Sequence, residues 1–336
     1  MRVARNVALL TTTDLCVVFD TPNGSVQALD HVNLTVGENE IICVVGESGC
    51  GKSTLGLSLI GLLPSPSARV VSGRIVHKGQ DITKLKKDDL RLMRGTELFM
   101  IFQEPMSSLN PVLSIEEQLL EAARVRNERV KRDGESLSSK SEMLDTIVKS
   151  LETVKVADPH RVLKGYPHQL SGGMRQRVMI AMALILKPSL LIADEPTTAL
   201  DVSTQDQILK LFRELVGRKL KTSMIFITHD LTLVRTFAER IAVMYAGEVV
   251  EEGPVLSVLN DPKHPYTQGL LKCLPKNHKK DGPVESIPGT VPDLISPPSG
   301  CKFHPRCKFA MEKCSKNRPH SYTSETTHTV RCFLYE

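Results

Sequence analysis

Gly46-Glu47-Ser48-Gly49-Cys50-Gly51-Lys52-Ser53-Thr54 decides how this chain is read. The stretch matches G-x-x-x-x-G-K-S/T and has the flanks that pattern needs. The β-branched run Ile41-Ile42-Cys43-Val44-Val45 precedes it, and an apolar, helix-like run over residues 55–63 follows. A strand, a glycine-rich turn and a helix in that order make a phosphate cradle. The glycines let the backbone curl so that successive amides point inward, and the helix N-terminus adds its positive dipole end. Lys52 supplies a mobile charge for outer phosphates, and Ser53 a hydroxyl for Mg²⁺. Cys50 occupies a slot of which only backbone contact is asked.

Further along, Leu190-Leu191-Ile192-Ala193-Asp194-Glu195 is an apolar strand ending in two carboxylates. In a parallel sheet, ligands bind outside the carboxyl ends of the strands. Asp194 is therefore expected to hold Mg²⁺ through water, and Glu195 to orient and polarise an attacking water as general base. Other short β-branched or apolar runs fall at residues 15–19, 32–36, 74–77, 98–102, 224–228 and 241–245, with a charged, helical stretch over 104–166. This alternation predicts an α/β core, a largely parallel sheet with helices on both faces.

A chain of 336 residues suits one large domain with an appendage. After about residue 274 the texture turns to Pro, Gly, Lys and Cys, which sets expected domains at 1–273 and 274–336. The net charge of +5 is too mild to demand nucleic acid. The longest apolar stretches, residues 55–63 and 178–186, are about half the roughly 20 residues a spanning helix needs. The apolar run at residues 7–10 is too short for a secretory segment, so the expected compartment is the cytosol. Of eight cysteines, Cys16, Cys43, Cys50 and Cys273 are scattered, while Cys301, Cys307, Cys314 and Cys332 crowd the C-terminal end. In a cytosolic protein that crowding reads first as a metal site.

Leu170-Ser171-Gly172-Gly173-Met174-Arg175-Gln176 resembles the signature of ABC ATPases, and other motifs of that family stand around it in order. Gln103 resembles the Q-loop glutamine, Ala199-Leu200-Asp201 the D-loop, and His229 the switch histidine. Phe19 is placed like the aromatic residue that stacks on adenine. The resemblance implies a P-loop core with a mixed, mostly parallel sheet, an antiparallel β subdomain and a helical insert over about 104–175. It also implies ATP and Mg²⁺ as ligands, with contacts from Phe19, Gly46, Ser48, Gly49, Cys50, Gly51, Lys52, Ser53, Thr54 and Gln103. Mg²⁺ falls to Ser53, Gln103 and Asp194, and the chemistry to Lys52, Glu195 and His229. Ser171, Gly172, Gly173 and Gln176 are expected to close over ATP held by a partner subunit, with Asp201 beside them. From residue type alone, Ser171 reads as a helix N-cap, and residues 178–186 as buried.

Phe102-Gln103-Glu104-Pro105-Met106-Ser107-Ser108-Leu109-Asn110-Pro111 is similar to the Q-loop of oligopeptide and dipeptide importers. So are Tyr166-Pro167-His168, His264-Pro265-Tyr266-Thr267, Ile287-Pro288-Gly289 and the spacing of the last four cysteines. The resemblance implies an ATPase on the cytoplasmic face of the membrane that powers peptide import. Its expected partners are a homologous second ATPase, two transmembrane permeases and an extracytoplasmic substrate-binding protein, with no nucleic acid. An oligosaccharide importer is the alternative cargo reading. An ABC ATPase of DNA repair or translation is the alternative of another class, against which stand the short, heptad-free gap from Lys52 to Ser171 and the single cassette. Thiolates suit zinc or iron–sulfur clusters. The close C-x2–4-C pairs common in zinc sites are missing, and peptide-importer tails sometimes hold a 4Fe–4S cluster. The expectation for Cys301, Cys307, Cys314 and Cys332 is thus a 4Fe–4S cluster that staples a small tail. Zinc, and thiols left unligated or disulfide-bonded, remain as alternatives.

Overall fold

The structure, a computed structural model, describes residues 8–103, 108–132, 134, 136–198, 200–214, 216, 222–273, 286–324 and 327–336. Glu104 to Ser107 of the Q-loop stretch, Ala199 of the D-loop and the expected domain boundary at 274 lie outside the described residues. The chain forms two compact units. The first comprises Met1–Gly37, Ile41–Lys84 and Phe226–Glu336; the second comprises Glu38–Glu40 and Leu85–Ile225.

The first unit opens with a hairpin of β1 (Ala8–Thr21) and β2 (Gly24–Gly37). In β2, buried Val32, Leu34 and Val36 alternate with exposed His31, Asn33 and Thr35, the period of two that puts one face on a core. All five residues of β3 (Ile41–Val45) are buried, as a central strand covered on both faces requires. The glycine-rich loop leads from β3 into α1 (Lys52–Leu59). Next come β4 (Ala68–His77) and β5 (Gln80–Asp81), which complete an antiparallel sheet of order β2-β1-β4-β5.

The second unit holds α2 (Lys87–Met93), β6 (Leu98–Ile101), α3 (Ile115–Arg132), α4 (Lys140–Thr153), α5 (Pro159–Leu163), α6 (Gly172–Leu186), β7 (Leu190–Asp194) and α7 (Val202–Glu214). β6 and β7 are parallel, with Leu98–Ile101 opposite Leu190–Ala193. Several of these helices start where a side chain takes up orphan amides. Ser139 and Glu142 form a capping box, Asp158 accepts from Arg161 N, and Ser171 accepts from Met174 N. α6 packs on α3 and α4 and buries Val178, Met179, Ile180 and Ala181. The charged run over 124–132 is the outer part of α3, with Arg129 turned back to pair with Glu97.

Strand β8 (Ser223–Thr228) returns the chain to the first unit. There it forms α8 (Leu231–Phe237), β9 (Arg240–Tyr245), β10 (Glu248–Pro254), α9 (Val255–Asn260), α10 (Pro265–Lys272), α11 (Glu312–Lys316), β11 (Tyr322–Thr323) and β12 (Thr329–Val330). β9 lies parallel to β3, whereas β10, β12 and β11 continue antiparallel from it. The sheet is thus mixed, and the C-terminal segment supplies two of its strands. β9 turns into β10 through Ala246 and Gly247, both left-handed at φ 48° and 82°. Among the described residues, no helix is long and apolar enough to cross a membrane.

Candidate functional site

The glycine-rich loop is shaped by what lies behind it. A Cβ at Gly46 would stand 2.2 Å from the Met244 carbonyl oxygen, and one at Gly51 2.5 Å from that of Ala28. Gly51 is also the N-cap of α1 at φ 102°; no side chain caps this helix and no acid occupies its first turn. The amides there are left for an anion, beside the positive end of the helix dipole. Lys52 is 5% exposed, and its ammonium donates to the carbonyls of Gly46 (2.9 Å) and Glu47 (3.0 Å). Ser48, Gly49 and Ser53 are exposed, and Thr54 is half-buried. Uncapped amides at the start of α1, an ammonium and an open hydroxyl fit a magnesium-bound polyphosphate. Burial pushes the Cys50 thiol up, so it stays neutral and inert. Phe19 is half-buried on β1, opposite Val26 and Ala68. His229 is exposed at the end of β8, and Asp230 next to it caps α8.

In the second unit, β7 delivers Asp194 at 4% exposure. Glu195 follows at φ 43°, a left-handed conformation that a non-glycine residue holds at a cost and that clusters at working sites. Its Oε2 accepts from Gln103 Nε2 (3.1 Å) and Thr198 Oγ1 (3.0 Å). The expected general base and the expected Q-loop glutamine therefore touch, though 92 positions apart in sequence. Ser171 is exposed, with half-buried Gly172 and Gly173 in the first turn of α6. Gln176 is fully buried, and neither amide atom has a hydrogen-bond partner among the described residues. Asp201 accepts from Thr204 N (2.9 Å) and Thr204 Oγ1 (2.7 Å), bonds that hold its carboxyl below the usual range.

A layer around the glycine-rich loop was not legible as such. The Tyr266 hydroxyl accepts from Glu47 N (2.8 Å), and Arg306 grips the Glu47 carboxylate with both terminal nitrogens, at 2.7 and 3.0 Å. Phe303 packs edge-on to Tyr245 and also meets Tyr266 and His264. The motif His264-Pro265-Tyr266-Thr267 was visible only as a resemblance; its physical role is to seat the loop. Arg306 was hidden between Cys301 and Cys307.

Those cysteines are all free thiols. Burial pushes Cys301 up to about 12 and raises Cys307 and Cys332 as well. Cys314 adds to the rise at each of the other three, so it lies within electrostatic range of them all. Among the described residues, no three of these sulfurs come within 4.8 Å of one another.

A second grouping, Cys16, Asp30 and His31, brings its ligand atoms within 4.8 Å. Asp30, however, already receives the Lys302 ammonium (2.8 Å) and the Arg318 guanidinium. Burial opposes its ionisation, yet hydrogen bonds from Arg318 and Lys302 hold it at about 2. Two fixed cations on the carboxylate make this an ion-pair network that repels a metal ion.

Residues 29–198 match the family described as ABC transporter, and residues 250–314 match the oligopeptide/dipeptide transporter C-terminal region. The chain belongs to the ABC transporter family. Its ATPase is 45% identical over 328 residues to the dipeptide transport ATP-binding protein DppD of Bacillus subtilis (strain 168), covering 98% of this chain and 95% of that protein. It is 43% identical over 312 residues to the oligopeptide transport ATP-binding protein OppD of Escherichia coli (strain K12), covering 93% and 89%. Among solved structures, the dimeric post-hydrolysis state of the ATP-binding cassette MJ0796 bound to ADP and Pi superposes with TM-score 0.63. It shares 28% identity, covering 73% of this chain and 98% of that one. As an ABC transporter ATPase, the chain binds and hydrolyses ATP.

Proposed function

We propose that this ABC ATPase energises the import of dipeptides or oligopeptides from the cytoplasmic face of the cell membrane. One observation carries the reading: likeness to peptide-transport ATP-binding proteins extends over nearly the whole chain, including the C-terminal region at residues 250–314. We assign domains of 1–273 for the ATPase and 274–336 for the extension, with the helical insert over about 104–175. Lys52 and the loop amides hold the phosphates, Phe19 stacks on adenine, and Ser53, Gln103 and Asp194 serve Mg²⁺. Glu195 acts as general base and His229 contacts the γ-phosphate. Ser171, Gly172 and Gly173, with Asp201 beside them, face the ATP of a second, homologous ATPase; buried Gln176 supports that segment from within its helix. Two permeases and an extracytoplasmic binding protein complete the transporter.

Cys301, Cys307, Cys314 and Cys332 hold a 4Fe–4S cluster in this reading, supported by four free thiols of which Cys314 lies within electrostatic range of the other three. When bound, the cluster supplies a covalent staple for a segment with little core of its own. Anaerobically purified chain should contain iron and acid-labile sulfide near four of each per chain, and Cys314→Ser should lose most of both. A chain with neither iron nor zinc refutes ligation. For transport, the tagged chain is pulled from gently solubilised native membranes. Two polytopic permeases and a second ATPase are expected; DNA-processing or ribosomal partners with no membrane protein would overturn the role.

A further inference from the structure

We infer that Arg306, in the C-terminal extension, is a positioning residue for the nucleotide: through Glu47 it fixes the shape and charge of the phosphate loop. The inference rests on the ATP-binding reading of residues 46–54.

Glu47 is the second residue of the loop, and each of its polar groups is committed. Its N–H donates to the Tyr266 hydroxyl, so that amide is turned away from the cradle. Its carbonyl accepts from Cys50 N (3.3 Å) and from the Lys52 ammonium (3.0 Å). Its carboxylate takes both terminal nitrogens of Arg306. A planar guanidinium meeting a carboxylate with two parallel bonds fixes angle as well as distance. The peptide planes on either side of Glu47, which aim the next amides, are thereby anchored.

Arg306 is itself immobile. Its side chain is 5% exposed, its Nε donates to the Pro288 carbonyl (2.8 Å), and its Nη1 also reaches the Tyr245 hydroxyl (3.4 Å). Its guanidinium carbon stands 5.7 Å from the Tyr245 ring centre and 6.0 Å from that of Phe303. The bond with Glu47 is the leading cause that raises its pKa further above its ordinary value, so the charge is permanent. Tyr245 follows Met244, whose carbonyl backs Gly46. Arg306 thus braces the loop at its carboxylate and at its rear wall. It also cancels an anion in the phosphate loop; unneutralised, Glu47 would repel a polyphosphate. The brace has a defined origin, since Arg306 ends the turn His304–Arg306 that opens on Cys301 O and closes on Cys307 N.

The test is equilibrium binding of Mg-ATP to the full chain by calorimetry, with steady-state turnover and melting temperature measured in parallel. Arg306→Ala should raise Kd and KM for ATP about tenfold, the scale of a lost charged hydrogen bond, with kcat within about twofold. Arg306→Lys should restore part of the affinity, as one charge without the fork. Glu47→Gln at a side chain 28% exposed keeps a folded variant available. The double variant Arg306→Ala/Glu47→Gln should bind no more weakly than Arg306→Ala alone. Arg318→Ala removes another ion pair of the same extension, to Asp30, and should lower stability without moving KM. Equal KM changes in Arg306→Ala and Arg318→Ala would reduce the contact to simple docking and overturn the inference, as would multiplicative effects in the double variant or an unchanged KM. Wild-type chain that binds no Mg-ATP would instead bring down the nucleotide reading itself.

Discussion

His264 ties the stability of the first unit to pH. Its side chain is 1% exposed, and its Nδ1 accepts the Tyr266 N–H (3.1 Å) as the N-cap of α10. Its own N–H donates to Glu251 (3.0 Å), and its ring lies 5.7 Å from that of Phe303. Burial lowers its pKa from 6.5 to about 4, against an opposing pull from Glu251. Between those values the unfolded chain binds one more proton than the folded one, so stability rises with pH. The contribution is complete above about pH 6.5 and is lost as pH falls towards 4. At about 1.4 kcal/mol per pH unit the full effect is about 3 kcal/mol, of which about 2 kcal/mol is gone by pH 5. His264→Asn keeps an oxygen for the cap and has no proton to gain. Urea unfolding followed by circular dichroism at pH 7.5 and pH 5.0 should show wild type losing about 2 kcal/mol more than the variant, other titrations being common to both. At pH 7.5 the variant should be the weaker by about 1–2 kcal/mol, for lost volume and ring packing. Equal losses in the two proteins would refute the buried, neutral His264. Protonation there also withdraws the cap from Tyr266, whose hydroxyl holds Glu47 N, so ATP affinity should fall with stability.

Glu195→Gln should retain ATP and slow its hydrolysis by about 10²-fold or more, measured as phosphate release; undiminished turnover would remove Glu195 as general base. Gly46→Ala drives a Cβ to 2.2 Å from the Met244 carbonyl oxygen, and nucleotide binding by calorimetry should fall at least about tenfold, with normal binding refuting the packing constraint. Lys302→Met removes a 2% exposed ammonium that donates to Ala246 O (2.8 Å) and Asp30 (2.8 Å), leaving that buried carboxylate to Arg318. Urea midpoints should report a loss of about 3–5 kcal/mol; a neutral result would mean that Arg318 alone compensates Asp30.

The parts of the site that sequence displays are those whose chemistry is local. A strand, three glycines, a lysine and a serine must be contiguous to wrap a phosphate, so residues 46–54 could be read directly. Asp194 and Glu195 were visible for the same reason, at the end of a fully apolar strand. What stayed hidden depends on partners remote in sequence. β10 carries Glu248 and Glu251, which look like solvated turn residues; both are buried, Glu248 beside Lys302 and Arg318, Glu251 bonded to His328 (2.7 Å). Arg306 and Glu47 stand 259 positions apart. No periodicity could announce such pairs, because each charge is explained only by a residue the fold brings to it. Gln176 of the signature stretch is fully buried, a burial that the sequence motif does not announce.

The pairing of β12 with β10 has a consequence for the chain in bulk solution. β10 is apolar or buried over most of its length, and Val249 and Val250 would make it an adhesive rim if its outer amides and carbonyls were bare. Thr329 and Val330 occupy that rim, and Arg331 N donates to Val250 O (2.9 Å). The outermost strand, β11, is only two residues long and exposed, too short a template for a second chain. The residues of β11 and β12 therefore act as a guard against strand-to-strand aggregation, and a chain shortened at about residue 273 should lose solubility as well as Cys301, Cys307, Cys314 and Cys332.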